Sequence, residues 1–130
     1  MCGITGFWSN PARLEGNPEH LVRKMTAKLL HRGPDAAGIW NDSVKGLALG
    51  HQRLAIQDLS PAGKQPMRSH SGRYVIVYNG EIYNARKLRD ELEKNSLVPH
   101  GWRGHSDTEV LLASVEAWGL KNAVSRFVGM

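Results

Sequence analysis

Cysteine is nearly absent from this chain of 130 residues, since Cys2 is its only one. A single thiol excludes an internal disulfide and any zinc site built from several cysteines, and it is typical of a reducing compartment. The six histidines show no H-x₃-H spacing, so the sequence predicts no metal site. The chemistry of Cys2, directly after Met1, therefore has to be explained in other terms.

Long apolar runs and clustered charge are also missing. No apolar stretch approaches ~18 residues, and the start of the chain lacks the basic and apolar regions of a signal peptide, so we expect a cytoplasmic protein without a membrane partner. Lys and Arg outnumber Asp and Glu by 17 to 12, but they are scattered. Their densest group, at positions 86, 87 and 89, has no interleaved aromatics. A solvated helix face explains it better than a nucleic-acid interface.

The remaining pattern predicts an α+β fold, with an antiparallel sheet flanked by helices. Strands are predicted at 3–8, 38–41, 46–56 and 73–78. Helices are predicted from Asn17, from Asn84, from a capping box between Ser106 and Glu109, and over 121–126. Apolar residues at helical spacing predict the buried helix faces. These are Leu21, Met25 and Leu29 in the first helix, Leu88 and Leu92 in the second, and Leu111, Val115 and Trp118 in the third. The apolar end, 127–130, carries no stop signal, so we expect Met130 to be a cut within a longer domain.

Cys2 has a chemical reason to lie at the start of the chain. Removal of Met1 would leave one residue with both a thiol and a free α-amino group, which is partly neutral near pH 7 and can accept a proton. An N-terminal nucleophile of this kind brings its own base. On position alone, a small residue that merely follows Met1 is the simpler interpretation, and the other motifs decide against it.

Asn79-Gly80 admits two interpretations. An Asn-Gly pair between two β-like segments is a strong signal for a hairpin turn. Alternatively, the side-chain amide of Asn79 and the backbone N–H of Gly80 could hold one developing negative oxygen, as in an oxyanion hole.

Two charged side chains have similar double interpretations. Arg53, in an apolar strand pattern, is either a surface residue or a bidentate binder of a carboxylate. Asp107 complements the helix dipole and could also hold an ammonium group, as could Glu81. Together with Cys2 and Asn79, these groups are complementary to glutamine attacked at its side-chain amide.

Five segments in this order resemble the glutaminase domain of glutamine-dependent asparagine synthetase, a class II amidotransferase with an N-terminal nucleophile. They are MCGITGFW, HRGPD, GHQRLAI, YNGEIYN and GHSDTEVLL. The resemblance implies a four-layer α/β/β/α sandwich of two antiparallel sheets, of the N-terminal-nucleophile hydrolase type. Residues 1–130 would then be an incomplete glutaminase domain, without the ATP-dependent synthetase domain.

The resemblance also implies a role for each site residue. The catalytic residues would be Cys2, Asn79 and Gly80. Glutamine would be bound by Arg53, by Leu54, Ala55, Ile56 and Gln57 through their backbone, by Asn79 and Gly80, and by Glu81 and Asp107. No cofactor or metal is expected in this domain, and Mg-ATP is expected in the synthetase domain. The expected partners are L-glutamine, the synthetase domain and a second copy in a homodimer.

Several alternatives remain open at this point. Related amidotransferases act on a sugar acid, on a peptide carboxylate, or on sugar-phosphate and phosphoribosyl acceptors. A glutamine-sensing or structural relic would have lost Cys2, Arg53 or Asn79, and all three are present.

Overall fold

The computed structural model describes residues 1–13, 16–56 and 58–130, which form two compact units. The first unit contains the described residues of 1–56 together with 64–66 and 77–79. The second contains 58–63, 67–76 and 80–130. Both combine helices with antiparallel strands, which confirms the predicted α+β class. Within the described residues, none of the helices is long and apolar enough to cross a bilayer.

The first unit is a three-stranded antiparallel sheet with one helix against it. The central strand β3 (Leu47–Arg53) lies between β1 (Gly3–Trp8) and β2 (Ala36–Asp42). Helix α1 (Pro18–Ala27) packs on this sheet. The predicted strand at 3–8 is confirmed, and the strands predicted at 38–41 and 46–56 are confirmed with shifted ends.

The sheet register brings the start of β1 to the end of β3. Gly3 is opposite Gln52, and on the other side Ala36 is opposite Arg53. The residue before β1, Cys2, therefore lies beside the point where β3 leaves the sheet.

Helix α1 begins where its capping signal predicts, but it buries a different face. The side chain of Asn17 accepts the N–H of Glu19 at 2.8 Å, as an N-cap should. Leu21 is 42% exposed, whereas Val22 and Thr26 are buried. The predicted face of Leu21, Met25 and Leu29 is therefore wrong as the principal buried face.

A glycine on β3 explains this choice of face. A Cβ on Gly50 would overlap the Thr26 hydroxyl, so only the absence of a side chain lets α1 approach the strand here. The Thr26 hydroxyl donates to the Val22 carbonyl at 2.7 Å. Because this bond satisfies the hydroxyl, a polar residue can occupy the buried face.

The second unit is mostly helical. Its elements are β4 (Met67–Arg68), β5 (Val75–Ile76), α2 (Ala85–Lys94), α3 (Asp107–Trp118) and α4 (Leu120–Val124). The buried face of Leu88 and Leu92 on α2 is confirmed. The strand predicted at 73–78 is only two residues long, because β4 pairs with β5 over two residues. Helix α4 lies one or two residues before the predicted span.

Helix α3 is buried over more of its circumference than a single apolar stripe would require. Val110, Leu112 and Val115 are buried, together with the polar Thr108 and Ser114. The prediction was right for Val115 and wrong for Leu111 and Trp118, which are only half-buried. A helix covered on several sides has no single apolar face for its spacing to reveal.

The hairpin interpretation of Asn79-Gly80 is wrong. Strand β5 pairs with β4, and Ile82 after the glycine forms a bridge with Gly129. Among the described residues, no two strands pair across this turn signal.

Candidate active site

The sulfur of Cys2 contacts the backbone just after β3. The N–H of Leu54 donates to Cys2 Sγ over 3.3 Å, and Sγ lies 3.6 Å from the Leu54 carbonyl oxygen. Cys2 is partly exposed. The thiol is thus held in place by main-chain groups and remains accessible.

The side chains of Cys2 and Arg53 point to the same face of the sheet. A Cβ on Gly3 would lie 2.8 Å from the Leu29 Cβ, so the residue 3 position faces the chain just after α1, on the helix side of the sheet. Side chains alternate along a strand, which directs the neighbouring Cys2 away from α1. Gly3 is opposite Gln52, so the next residue of β3, Arg53, also faces away from the helix. Arg53 is only 8% exposed, which decides against the surface-arginine interpretation.

The HRGPD segment holds the backbone that follows Arg53. The N–H of Asp35 donates to the Arg53 carbonyl at 3.0 Å. In turn, the Asp35 carboxylate accepts the N–H of Ala55 at 2.8 Å. β3 ends here because side chains, rather than a neighbouring strand, take the N–H groups of Leu54 and Ala55. Sequence reasoning missed this role of Asp35.

Gly33 allows the same segment to approach β3 closely. A Cβ on Gly33 would overlap the Arg53 carbonyl carbon and lie 2.6 Å from the Leu54 nitrogen. The glycine before a proline predicted a turn here. The sequence around it could not indicate that Gly33 would contact β3.

The other residues predicted after Arg53 are more exposed. Leu54 and Ala55 are half-buried, and Ile56 is 66% exposed. Gln57 lies outside the described residues. Of the predicted backbone segment 54–57, residues 54 and 55 are therefore the ones held by hydrogen bonds that the structure shows.

His51 is a buried titratable group on the same face as Arg53. It is fully buried, and neither ring nitrogen completes a hydrogen bond among the described residues. Burial lowers the pKa of its imidazole; the nearby main chain of Tyr78 opposes this shift, and the charge of Arg53 adds to it. His51 is therefore neutral at pH 7 and adds no positive charge beside Arg53.

The residue before Asn79, Tyr78, is held by a hydrogen bond within the first unit. The N–H of Tyr78 donates to Gln65 Oε1 at 2.6 Å. β2 packs directly on the Gln65 backbone, because a Cβ on Gly38 would overlap the Gln65 carbonyl oxygen. Asn79 itself is half-buried. The main chain before its side-chain amide is thus fixed by a contact that sequence reasoning did not foresee.

Gly80, Glu81 and Asp107 belong to the second unit. The carboxylate of Asp107 accepts the N–H of Ile82 at 2.9 Å, and Asp107 is only 8% exposed. Glu81 exchanges two backbone hydrogen bonds with Met130, at 3.0 and 2.9 Å. The Asp107 side chain therefore orients the backbone of Ile82, the residue directly after Glu81.

Glu109 organises the loop before α3. Its carboxylate accepts the N–H groups of Arg103 and Gly104 at 2.8 and 3.0 Å, and it lies 3.3 Å from Arg103 Nε. The Ser106 hydroxyl accepts the Glu109 N–H at 3.3 Å. Half of the predicted capping box is thus confirmed, and the return bond from Glu109 to Ser106 is wrong because the carboxylate binds the earlier loop instead.

The predicted site residues divide between the two units. Cys2, Arg53, Leu54, Ala55, Ile56 and Asn79 belong to the first, and Gly80, Glu81 and Asp107 to the second. Among the described residues, no three His, Cys, Asp or Glu side chains are grouped so as to hold a metal ion. The first unit presents a thiol and a guanidinium on one sheet face, which suits attack on a substrate that carries a carboxylate.

Sequence comparisons point to one family. The whole chain, residues 1–130, matches the glutamine amidotransferase domain family. It is 38% identical over 131 residues to asparagine synthetase [glutamine-hydrolyzing] 1 of Bacillus subtilis, covering 100% of this chain and 20% of that protein. Asparagine synthetase [glutamine-hydrolyzing] 3 of the same organism is 40% identical over 120 residues, covering 91% of this chain and 18% of that protein.

A fungal relative carries a different name. Amidase chry2 of Gibberella zeae is 35% identical over 128 residues, covering 92% of this chain and 18% of that protein. The chain spans about one fifth of the length of the curated relatives it matches.

Proposed function

Because this chain belongs to the family of glutamine amidotransferase domains, we propose that it releases ammonia from glutamine through the thiol of Cys2. The observation that carries the proposal is the partly exposed Cys2 sulfur on the Leu54 backbone. Arg53 faces the same side of the sheet as Cys2, where it can bind the substrate.

In this proposal, charged side chains bind the two charged groups of the substrate. The Arg53 guanidinium binds the α-carboxylate, which suits its planar pair of donors. The backbone of residues 54–57 lines the bound amino acid. Glu81 and Asp107 bind the α-ammonium group. Support for this assignment comes from the backbone bonds that fix Ala55 on Asp35 and Ile82 on Asp107.

The reaction proceeds by covalent catalysis. The Cys2 thiol transfers its proton to its own α-amino group, and the sulfur attacks the side-chain amide carbon of glutamine. Asn79 and the N–H of Gly80 stabilise the oxyanion. The C–N bond then breaks, and the leaving nitrogen takes the proton as ammonia. Water hydrolyses the thioester to glutamate and regenerates the thiol.

This mechanism requires that Met1 be removed. Only then does Cys2 carry a free α-amino group, because in the unprocessed chain that nitrogen is part of a peptide bond. No metal takes part in these steps.

In the whole protein, we propose that ammonia passes to a synthetase domain. That domain would use Mg-ATP to activate aspartate as an adenylate and form asparagine, and the protein would form a homodimer. Support for asparagine formation comes from the names of the two asparagine synthetases that this chain resembles. Residues 1–130 would form part of the glutaminase domain, whose complete fold we propose to be a four-layer α/β/β/α sandwich.

A different acceptor is the second candidate. The match to amidase chry2 extends over 92% of this chain, so similarity in this region is not confined to proteins named asparagine synthetase. Sugar-acid, peptide, sugar-phosphate and phosphoribosyl acceptors therefore remain alternatives to aspartate.

The test compares Cys2→Ala with the unmodified full gene product. Glutamine hydrolysis should fall at least ~10³-fold, since loss of a nucleophile removes the covalent route. Ammonia-dependent amide formation should persist. Glutamine hydrolysis at the original rate would refute the assignment of Cys2.

A matched variant separates the thiol from its amine. Inserting Ala between Met1 and Cys2 leaves the thiol in place but moves the free α-amino group to the added residue. Hydrolysis should again be lost, and N-terminal sequencing should confirm that processing stops at the added residue. Full activity in this variant would show that the base is another group.

A further inference from the structure

A pocket of about 220 Å³ opens between α1 and β2, on the face of the first sheet that packs against the helix. Thr26, Ala27 and Leu30 line one side, and residues 37–39 of β2 line the other. Gln52 of β3 completes the lining. The position of Gln52 follows from the sheet, since it lies opposite Ala37 in the register and therefore faces the same side.

Gln52 has an unmet hydrogen-bonding requirement. The residue is 4% exposed, and its Oε1 has no hydrogen-bond partner among the described residues. Buried side-chain oxygens almost always have a partner, because leaving one without a bond is costly. Among the described lining residues the hydroxyl is on Thr26, and it already donates to the Val22 carbonyl. The other side-chain donors in the described lining are on Arg23, which is paired with Glu19 at 2.8 Å, so a molecule that enters the pocket can supply the donor for Gln52.

The charges around the pocket favour a neutral ligand. Arg23 also lines the pocket, but its guanidinium is paired with Glu19 at 2.8 Å. The walls at Ala27, Leu30 and Ile39 are apolar. An ammonium group would find no unpaired carboxylate in this lining, and a carboxylate would face the Gln52 oxygen. An ionic ligand would therefore lose its hydration without a matching partner.

We propose that this pocket binds a small uncharged primary carboxamide. Its NH₂ donates to Gln52 Oε1, and its carbonyl accepts from the Gln52 side-chain NH₂, so that the two amides pair in one plane. Its aliphatic part packs against Ala27 and Leu30. The pocket accommodates a short chain, because about 220 Å³ exceeds the volume of a few methylene groups and one amide.

The site is separate from the one that contains Cys2. Gln52 and Arg53 are consecutive residues of β3, so their side chains point to opposite faces of the sheet. A ligand on Gln52 would occupy the helix side, and Cys2 faces the other side. The proposal therefore stands whether or not Cys2 is the nucleophile.

The experiment uses butyramide as the probe and ligand-observed saturation-transfer NMR on the full gene product, with excess L-glutamate present to occupy the proposed glutamine site at Cys2. Butyramide should give a saturable signal with a dissociation constant on the order of 1–10 mM, in keeping with the binding efficiency of very small ligands. Butyrate and butylamine have the same aliphatic part and carry a charge. Both should bind at least about tenfold more weakly.

Two substitutions localise the binding. Gln52→Leu removes the amide and should abolish the saturable signal. Leu30→Trp fills the pocket and should do the same, whereas Leu21→Trp should leave binding unchanged. The last two are matched, because both leucines are exposed, at 56% and 42%, and Leu21 does not line the pocket. Thermal unfolding of each variant shows whether it is folded. If Gln52→Leu does not fold, Leu30→Trp still tests the proposal.

Three results would overturn the proposal. One is a butyramide signal that never saturates. Another is equal binding of butyrate, which would mean that the amide is not recognised. The third is the same loss of signal in Leu30→Trp and Leu21→Trp, or no loss in Leu30→Trp, because either outcome places the ligand elsewhere.

Discussion

The carboxylate of Asp35 accepts the backbone N–H of Ala55 at 2.8 Å, although the two residues are 20 positions apart. A second bond, from the Asp35 N–H to the Arg53 carbonyl at 3.0 Å, fixes the other end of the same short segment. The backbone proposed to line the bound glutamine is thus held by one aspartate outside the predicted site.

Replacing that aspartate should weaken substrate binding. In Asp35→Ala the N–H of Ala55 loses its acceptor, and a displacement of the lining backbone by about 1 Å can cost ~10²-fold in rate. We expect the KM for glutamine to rise by about 10–100-fold with a smaller change in kcat. Steady-state glutamine hydrolysis by the full gene product measures both.

Two variants serve as references for Asp35→Ala. Asp35→Asn keeps an oxygen acceptor and should recover most of the lost affinity. Asp42→Ala, at the far end of β2, removes an aspartate whose partners among the described residues are the Lys45 backbone and ammonium. It should leave the KM unchanged. A KM that does not move in Asp35→Ala would contradict the positioning role.

Gly33→Ala should destabilise the first unit strongly. Its new Cβ would meet the backbone of Arg53 and Leu54, which cannot rotate away as a side chain could. We expect a loss of about 3 kcal/mol in the free energy of unfolding. Gly72→Ala is the comparison, since nothing lies within 4 Å of its Cβ and only its φ of +72° is unfavourable. That change should cost about 1 kcal/mol. Urea denaturation measures both, and equal losses would argue against the close contact.

Glu109→Ala should be among the more destabilising single changes in the second unit. It leaves the buried N–H of Gly104 and the part-buried N–H of Arg103 without their acceptor, and Arg103 without its ion pair. Because Arg103 is 40% exposed, we expect the loss to come mainly from the N–H groups, and a hydrogen bond to a charged acceptor contributes about 1.5–3 kcal/mol. Glu91→Ala removes an exposed pair with Arg126 and should cost about 0–1 kcal/mol. Equal shifts in the urea midpoint would show that the Glu109 network contributes no more than a surface pair.

Acid should destabilise the protein through His51. Its pKa is lowered in the folded state, so the unfolded chain binds the proton more readily. The stability that His51 contributes is therefore complete above its unfolded pKa, roughly 6.5, and it is lost progressively as the pH falls below that value towards the folded pKa. His51→Gln should flatten the decline in unfolding free energy below roughly pH 6.5. His20→Gln, at an exposed position, should not. Parallel pH profiles for all three proteins would refute this.

Helix starts were predictable because their signals are local. Asn17 and Ser106 cap the helices that follow them, as expected from side chains that accept backbone N–H groups within the first turn. The buried faces were less predictable, because neighbouring elements decide them. Thr26 is buried on α1 only because β3 has a glycine at position 50.

The contacts that organise the candidate site are long-range. Cys2 and Leu54 are 52 positions apart, and Asp35 and Ala55 are 20 apart. Composition and spacing could identify the chemically suitable side chains, and the resemblance could suggest their roles. Only the register of β1 and β2 on β3 reveals that Cys2, Arg53 and Asp35 meet at one strand end.

The bonds between Glu81 and Met130 make the last residues of the described chain part of the candidate site's support. Val128 contributes as well, by accepting the N–H of Tyr83 at 2.7 Å. A protease that removed residues 128–130 would take away three backbone partners of the segment that carries Glu81. Trimming at this point would therefore loosen a proposed ammonium ligand without touching any side chain assigned to the substrate.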